Sequence, residues 1–199
     1  MNSLDEMFLK HNITIQEGHI GQVFEQRKDI LDVISSKKDI KYIMEIGFNA
    51  GHSSELFLKN SDAIVYSFDI GSHFNQYLQL GKKYINKTYP QRHTLVFGDS
   101  KLSIPRFCKE NDIKFDIIFI DGGHDYITAK SDLIHSKNLA HKDTIVIMDD
   151  IVSQTSLQTS WTEGPNRAWK EMIEAGLLQE NLHYDYGIGR GQSFGKYII

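Results

Sequence analysis

The stretch "IFIDGGHDYITAKSDL", Ile118 to Leu133, sets Asp121, His124, Asp125 and Tyr126 directly behind an apolar run, and "TIVIMDD" ends a second run on Asp149 and Asp150. If both runs are buried strands, these side chains emerge at the C-terminal mouths, where open α/β sheets bind their ligands. Neighbouring strands lie about 4.8 Å apart, so adjacent placement of the two runs brings Asp121, Asp149 and Asp150 together. Three carboxylates in so small a space repel one another. Either one of them holds a proton, with a raised pKa, or a cation offsets the charge, and an oxygen-only set suits a hard ion such as Mg2+ or Ca2+. Asp125 and Asp132 read differently, as acids at the start and on the outer face of the following helix, where an N-terminus favours negative charge.

A second constellation lies earlier in the chain. "MEIGFNAGHSS" places Gly47 and Gly51 in the turn between a strand and a helix, where glycine lets the backbone pass close to a ligand. The spacing is G-x-x-x-G, with Asn49 where the dinucleotide fingerprint requires its second glycine, so a pyrophosphate cradle is poorly matched. Asp69 follows Gly47 by 22 positions, close to the separation of about 20 at which an acid reaches ribose hydroxyls in such folds. A nucleoside ligand without a pyrophosphate satisfies both observations. Asp99 and Ser100 stand after a further strand, where either residue could equally cap the next helix. The "GIGRG" near the C-terminus reads as a turn, because no chain remains to form a helix behind it.

These residues require a scaffold of strands and helices in alternation. Five short apolar runs supply the strands: Tyr42 to Ile46, Ile64 to Phe68, Thr94 to Phe97, Phe115 to Ile120 and Thr144 to Met148. Helix-compatible segments lie before and between them, at Gly21 to Lys38, Ser53 to Lys59, Phe74 to Ile85, Leu102 to Asn111 and Ile127 to Leu139. The alternation predicts an α/β fold, doubly wound and Rossmann-like, with a mostly parallel sheet and helices on both faces. Pro165 is expected to open a helix to Ala175, and "LHYDYGIGRGQSFGKYII" to form a C-terminal antiparallel hairpin joined at Gly189-Arg190-Gly191. The irregular stretch Ile151 to Gly164 is the expected mobile cover. With no repeat or long linker, residues 1–199 are expected to form one domain, with 1–40 as a helical lead-in.

Bulk properties narrow the partners. A net charge of -4, from 22 basic and 26 acidic residues without a long block of one sign, gives no footprint for a nucleic acid backbone. No apolar run approaches the roughly 20 residues that span a bilayer, so no membrane partner is expected. The lone Cys108 cannot form an internal disulfide, and the N-terminus lacks the pattern of a signal peptide, which together imply a cytoplasmic protein. The edge hairpin and N-terminal helix could be covered by the chain itself or by a second copy, which leaves a homo-oligomer open.

In order along the chain, "EIGFNAGHS", "SFDIG", "VFGDS" and "FDIIFIDGGHDY" resemble the successive motifs of class I S-adenosylmethionine-dependent methyltransferases. That resemblance covers about Tyr42 to Asp150. It implies that Glu45, Gly47 and Gly51, with Asn49 of the same loop, surround the methionine part of S-adenosylmethionine. It also implies that Asp69 binds the ribose, that Asp99 with Ser100 lies near the adenine, and that Asp121 borders the cofactor. Within the class, the chain is most similar to the metal-dependent macrocin-type enzymes that methylate sugar hydroxyls, which carry an acid after the fourth strand, a histidine three residues on, and an acidic pair after the fifth. Asp121, His124, Asp149 and Asp150 occupy those places. The pair is Asp-Asp here, against Glu-Asp in the sugar enzymes and Asp-Asn in the catechol-type relatives.

The implied chemistry is methyl transfer to a hydroxyl of a small molecule, with Mg2+ or another divalent cation at Asp121, Asp149 and Asp150. His124 would be the general base beside Asp121, because an imidazole titrates near working pH. A turn histidine that satisfies backbone groups is the plainer alternative. Competing functions are a catalytically silent nucleotide-binding module, or a methyltransferase acting on nucleic acid or protein nitrogen. Against base methylation, "IDGGHDY" stands where amino-base enzymes carry an Asp/Asn-Pro-Pro-aromatic motif. Tyr77, Trp161 and Trp169 are candidates for an acceptor pocket, or equally for the core.

Overall fold

The structure, a computed structural model, describes residues 3–15, 20–71 and 75–199. Five strands run parallel, β1 (Tyr42–Ile46), β2 (Ile64–Asp69), β3 (His93–Phe97), β4 (Phe115–Ile120) and β5 (Ala140–Asp149). An antiparallel pair, β6 (Leu178–Gly187) and β7 (Arg190–Tyr197), completes one seven-stranded sheet in the order β3-β2-β1-β4-β5-β7-β6. The central strands β1 and β4 are largely apolar because both faces of the sheet are covered there. On one face Met44, Ile46, Phe68, Ile118, Ile120, Val146 and Met148 pack against α5 (Ser100–Glu110), α6 (Tyr126–Lys137) and α7 (Ser160–Glu174). On the other, Ile43, Val65, Ile117, Phe119 and Ile147 meet α2 (Phe24–Ser36), α3 (His52–Asn60) and α4 (Asn75–Thr88). Burying each large apolar side chain contributes roughly 1.5–3 kcal/mol, so this two-sided packing is the main force that holds the strand ends in place.

The order reverses between β1 and β4, the neighbours at the centre of the sheet. At such a switch point the loops leave in opposite directions and open a crevice. Here the two sides of the crevice are the turn after β1 and the turn after β4, tied by the Asp121 N–H donating to the Ile46 carbonyl at 2.8 Å.

The expected alternation and hairpin are present, with several corrections. An additional helix, α1 (Leu4–Lys10), is capped by Ser3 and buries Leu4 and Phe8 against Ala50 and Tyr77. Phe74, the expected start of the fourth helix, and His73 lie outside the described residues. Pro165 is inside α7, which begins at Ser160 because the Thr162 hydroxyl accepts the Thr159 N–H at its start, as in a capping box; Gly164 then packs closely on the turn after β4, where a β-carbon would lie 2.2 Å from the His124 carbonyl oxygen. The hairpin turns at Ile188-Gly189, one to two residues before the expected site, because β7 already begins at Arg190. The stretch after β5 is shorter than expected and is anchored: Asp185 accepts from the Ser153 N–H (2.9 Å), the Ser153 hydroxyl (2.7 Å) and the Gln154 N–H (3.0 Å). Asp132 is fully buried, not on the outer face of its helix.

Candidate active site

The turn after β1 is built by unusual backbone conformations. Gly47 (φ 94), Asn49 (φ 49) and Gly51 (φ 93) all occupy the left-handed side, which glycine tolerates freely and asparagine better than most residues. A β-carbon on Gly47 would sit 1.9 Å from the Asp121 carbonyl oxygen, so only glycine permits the two sides of the crevice to approach this closely. Asp69 holds the loop from β2. Its Oδ2 accepts the N–H groups of Phe48 (2.9 Å) and Asn49 (3.0 Å), and its Oδ1 accepts that of Gly71 (2.8 Å). The loop feeds directly into α3, whose positive N-terminal end faces the same space.

Gly47, Asn49, Ser53, His52 and Asp121 line a pocket at this point. His52 also receives α1, with its Nε2 2.8 Å from Asp5 Oδ1 and its ring stacked on Phe8. Glu45 lies beneath the loop, fully buried, and its Oε2 accepts from the hydroxyls of Ser54 (2.5 Å) and Ser67. Its Oε1 has no hydrogen-bond partner among the described residues. Burial pushes the Glu45 carboxyl up to about 7, against the pull of the Ser53, Ser54 and Ser67 hydroxyls. Asp99 caps α5: its Oδ1 accepts the Lys101 N–H at 3.0 Å and pairs with Lys101 Nζ at 3.0 Å. Ser100 is the first residue of that helix.

Across the crevice, β4 and β5 are adjacent and in register, which brings the acids together. Ligand atoms of Asp121, His124 and Asp150 lie within 4.8 Å of one another. His124 Nε2 is 2.9 Å from Asp150 Oδ2, with the imidazole 48% and the carboxylate 13% exposed. Asp150 itself is in the left-handed region at φ 60, a conformation uncommon outside glycine. Asp149, the last residue of β5, is directed elsewhere. Gln26 Nε2, from α2, donates to both its carboxylate oxygens at 2.8 Å. The set brought together is therefore Asp121, His124 and Asp150, with a histidine in the place expected for Asp149. Desolvation, followed by the charges of Asp149 and Asp150, pushes the Asp121 carboxyl well above the usual carboxylate range; burial and Asp150 raise Asp149 as well.

Some contributors were not visible in the sequence. Gln26 lies 123 positions from Asp149, and no local pattern marks it. Asp125 caps α6 as expected, accepting the Thr128 N–H at 3.0 Å. Of the three aromatics, Tyr77 and Trp169 are core residues, whereas Trp161 is 46% exposed beside the hairpin turn.

Comparison with known families decides what this crevice belongs to. Residues 44–151, more than half of the chain, match the model of a methyltransferase domain. The chain belongs to this methyltransferase family. No curated protein matches it by sequence. Among solved structures, it is similar to the O-methyltransferase from Bacillus cereus in complex with SAH, with TM-score 0.74 and 16% identity over 97% of this chain and 90% of that one. It is also similar to the O-methyltransferase TomG from Streptomyces achromogenes, involved in tomaymycin synthesis, in complex with SAM (TM-score 0.70, 13% identity, 98% and 87% covered). A third is a TDP-rhamnose 3'-O-methyltransferase of calicheamicin biosynthesis (TM-score 0.67, 16% identity, 97% and 92%). At these identities the likeness shows the fold, and the class I resemblance holds for the methyltransferase as family and architecture. Among its described residues, no helix is long and apolar enough to cross a membrane.

Proposed function

We propose that the chain is an S-adenosylmethionine-dependent O-methyltransferase that acts on a hydroxyl of a small molecule and is assisted by a divalent cation. The observation that carries this reading is the meeting of Asp121, His124 and Asp150 beside the glycine loop. The cofactor fits the loop side: Gly47, Asn49, Ser53 and Asp121 line a pocket there, Glu45 Oε1 is a buried acceptor lacking a partner among the described residues, and the α3 N-terminus suits a carboxylate. Asp69 has its carboxylate engaged by loop N–H groups, so it serves the cofactor by shaping the loop as well as by any contact with ribose. A cation fits the acid side, where the Asp121 and Asp150 carboxylates supply oxygen ligands suited to Mg2+ or Mn2+, and His124 beside them is left for proton transfer.

S-adenosylmethionine supplies an electrophilic methyl on a sulfonium. The cation supplies positive charge that stabilises a developing oxyanion. The chain's residues do the rest. Asp121 and Asp150 would fix where the acceptor oxygen sits, and His124 would take the hydroxyl proton as the methyl–sulfur bond gives way to the new methyl–oxygen bond and the neutral thioether leaves. Asp150 orients the imidazole and stabilises the imidazolium that forms. The test is transfer of labelled methyl from S-adenosylmethionine to a panel of catechols, polyols and sugars, with and without EDTA, alongside calorimetry with S-adenosylhomocysteine. Binding of the cofactor product together with EDTA-sensitive methylation is expected. No binding of S-adenosylhomocysteine would refute the reading, and transfer indifferent to EDTA would remove the cation from it.

A further inference from the structure

Arg190, in the "GIGRG" that reads as a mere turn in the sequence, is the first residue of β7 and stands at the mouth of the crevice. β7 pairs antiparallel with β5 so that Gln192 lies opposite Asp149, and the Ile151 N–H donates to the Gly191 carbonyl at 3.2 Å. Arg190 therefore stands just beyond the ends of the acids. Side chains alternate along a strand, so Arg190 and Gln192 share a face. Gln192 is fully buried, and neither its amide nitrogen nor its oxygen has a partner among the described residues.

The guanidinium carries five N–H donors in a fork that matches carboxylate and phosphate. Among the described residues it makes one long hydrogen bond, Nη2 to Gln22 Oε1 at 3.5 Å, and no ion pair within 4.0 Å of any acid. Yet its charge reaches the site, opposing the desolvation and acid repulsion that raise Asp121 and Asp149. The adjoining turn is walled by Trp161, 46% exposed, whose Nε1 donates to the Gly189 carbonyl at 3.2 Å. A partly exposed guanidinium with one long hydrogen bond among the described residues, on the same strand face as an unpartnered buried carboxamide, is a set of groups arranged to hold an anion.

We propose that Arg190 recognises an anionic group, a carboxylate or a phosphate, on the hydroxylated acceptor, and so selects charged over neutral acceptors. The inference rests on the methyl-transfer reading above. Without Arg190, the acids of the site would repel such a molecule; with it, the anion is held at the rim while the hydroxyl reaches Asp121 and Asp150.

The test is calorimetry on the full chain saturated with S-adenosylhomocysteine, with two matched pairs of probes: 3,4-dihydroxybenzoate against catechol, and glucose 1-phosphate against glucose. The anionic member of at least one pair should bind roughly tenfold or more tighter than its neutral partner, as expected for a charge-assisted fork. Which pair shows the preference separates carboxylate from phosphate. Arg190→Gln should abolish the preference while S-adenosylhomocysteine affinity is unchanged, which also shows that the variant is folded. Arg190→Lys, which keeps the charge but loses the fork, should retain part of it. A wild type without anion preference, including one that binds none of the probes, overturns the proposal, as does a preference that persists in Arg190→Gln. Loss of S-adenosylhomocysteine binding by the wild type itself would instead overturn the methyl-transfer reading, and this inference with it.

Discussion

The two sides of the crevice use carboxylates in opposite ways. On the β1–β2 side, Asp69 accepts three backbone N–H groups and is satisfied by its own chain. On the β4–β5 side, burial and the neighbouring acids hold the Asp121 and Asp149 carboxyls above their ordinary range, and Asp150 holds a left-handed backbone conformation. One side is thus shaped before any ligand arrives. The other is an arrangement whose electrostatic cost is relieved by a proton or a cation. This is the division expected when a loop must bind and a cluster must react: binding gains from preorganisation, and proton transfer needs groups whose charge can change.

The hardest blow to that division comes from His124. If the reactive side alone carries the proton transfer, His124→Ala should lower turnover by roughly 100- to 10,000-fold, the usual range for general-base help. Affinity for S-adenosylhomocysteine should stay within about twofold. The wild-type rate should rise through one ionisation in the histidine range, and the variant should lose that limb and recover part of its rate at alkaline pH. Retention of both rate and limb would make His124 a turn residue.

A second prediction extends the contrast to the support beneath the "DGGH" turn. Asp132 is fully buried, with its Oδ2 3.1 Å from where a β-carbon on Gly122 would lie, and burial pushes its carboxyl up to about 7. Its ordinary value is 3.8, so the native state holds the proton to higher pH than the unfolded chain does. Its contribution to stability is therefore complete below about 4 and lost as pH rises through about 7. At about 1.4 kcal/mol per pKa unit the loss is on the order of 4 kcal/mol at most. Glu45 loses stability in the same direction, while His93, pushed down to about 4 chiefly by burial, loses it as pH falls. Asp132→Asn should melt above the wild type at pH 8, with the difference shrinking steadily toward pH 4. A constant offset across that range would mean the carboxyl does not titrate there.

How far these differences could be read beforehand depends on whether the cause is local. β1 and β4 coincide with their apolar runs, because strands buried on both faces must be apolar throughout. Adjacency of β4 and β5 followed from the alternation, and with it the convergence of Asp121 and Asp150. The fate of Asp149 did not follow, since its partner Gln26 sits on a helix that reaches the site only after the whole sheet has formed. Asp132 was misplaced for a related reason. A charged residue in a helix is expected outside, and only the packing of α6 under the turn puts it inside. Arg190 was visible but lay in a turn pattern that carries no chemistry until the hairpin is set beside β5.

A smaller effect should appear on the preorganised side. Asp69→Ala removes the acceptor for Phe48, Asn49 and Gly71, and charge-assisted bonds of this kind contribute roughly 1.5–3 kcal/mol. Affinity for S-adenosylhomocysteine should fall at least about tenfold in calorimetry, whereas the rise in melting temperature caused by Mn2+ should be unchanged. If the Mn2+ response collapsed too, the two sides would be one coupled site and the contrast would be broken.

The finest test concerns the acid that the structure holds back. Asp149 is kept from the cluster of Asp121, His124 and Asp150 by the two hydrogen bonds from Gln26. A cation bound by Asp121 and Asp150 should therefore depend on Asp150 more than on Asp149. In thermal melts with Mn2+, Asp150→Asn should erase most of the stabilisation, which for the wild type is about 2.7 kcal/mol at one hundred times the dissociation constant, and Asp149→Asn should erase less. Gln26→Ala then carries the comparison one step further. It should lower the metal-free stability by about 1–3 kcal/mol, because a buried carboxylate loses its donor. The same change releases Asp149 to turn toward the cluster, where a further carboxylate ligand would tighten Mn2+ binding several-fold. An Mn2+ affinity identical to the wild type in Gln26→Ala would show that backbone geometry at the end of β5, and not the amide of Gln26, keeps Asp149 out of the ligand set.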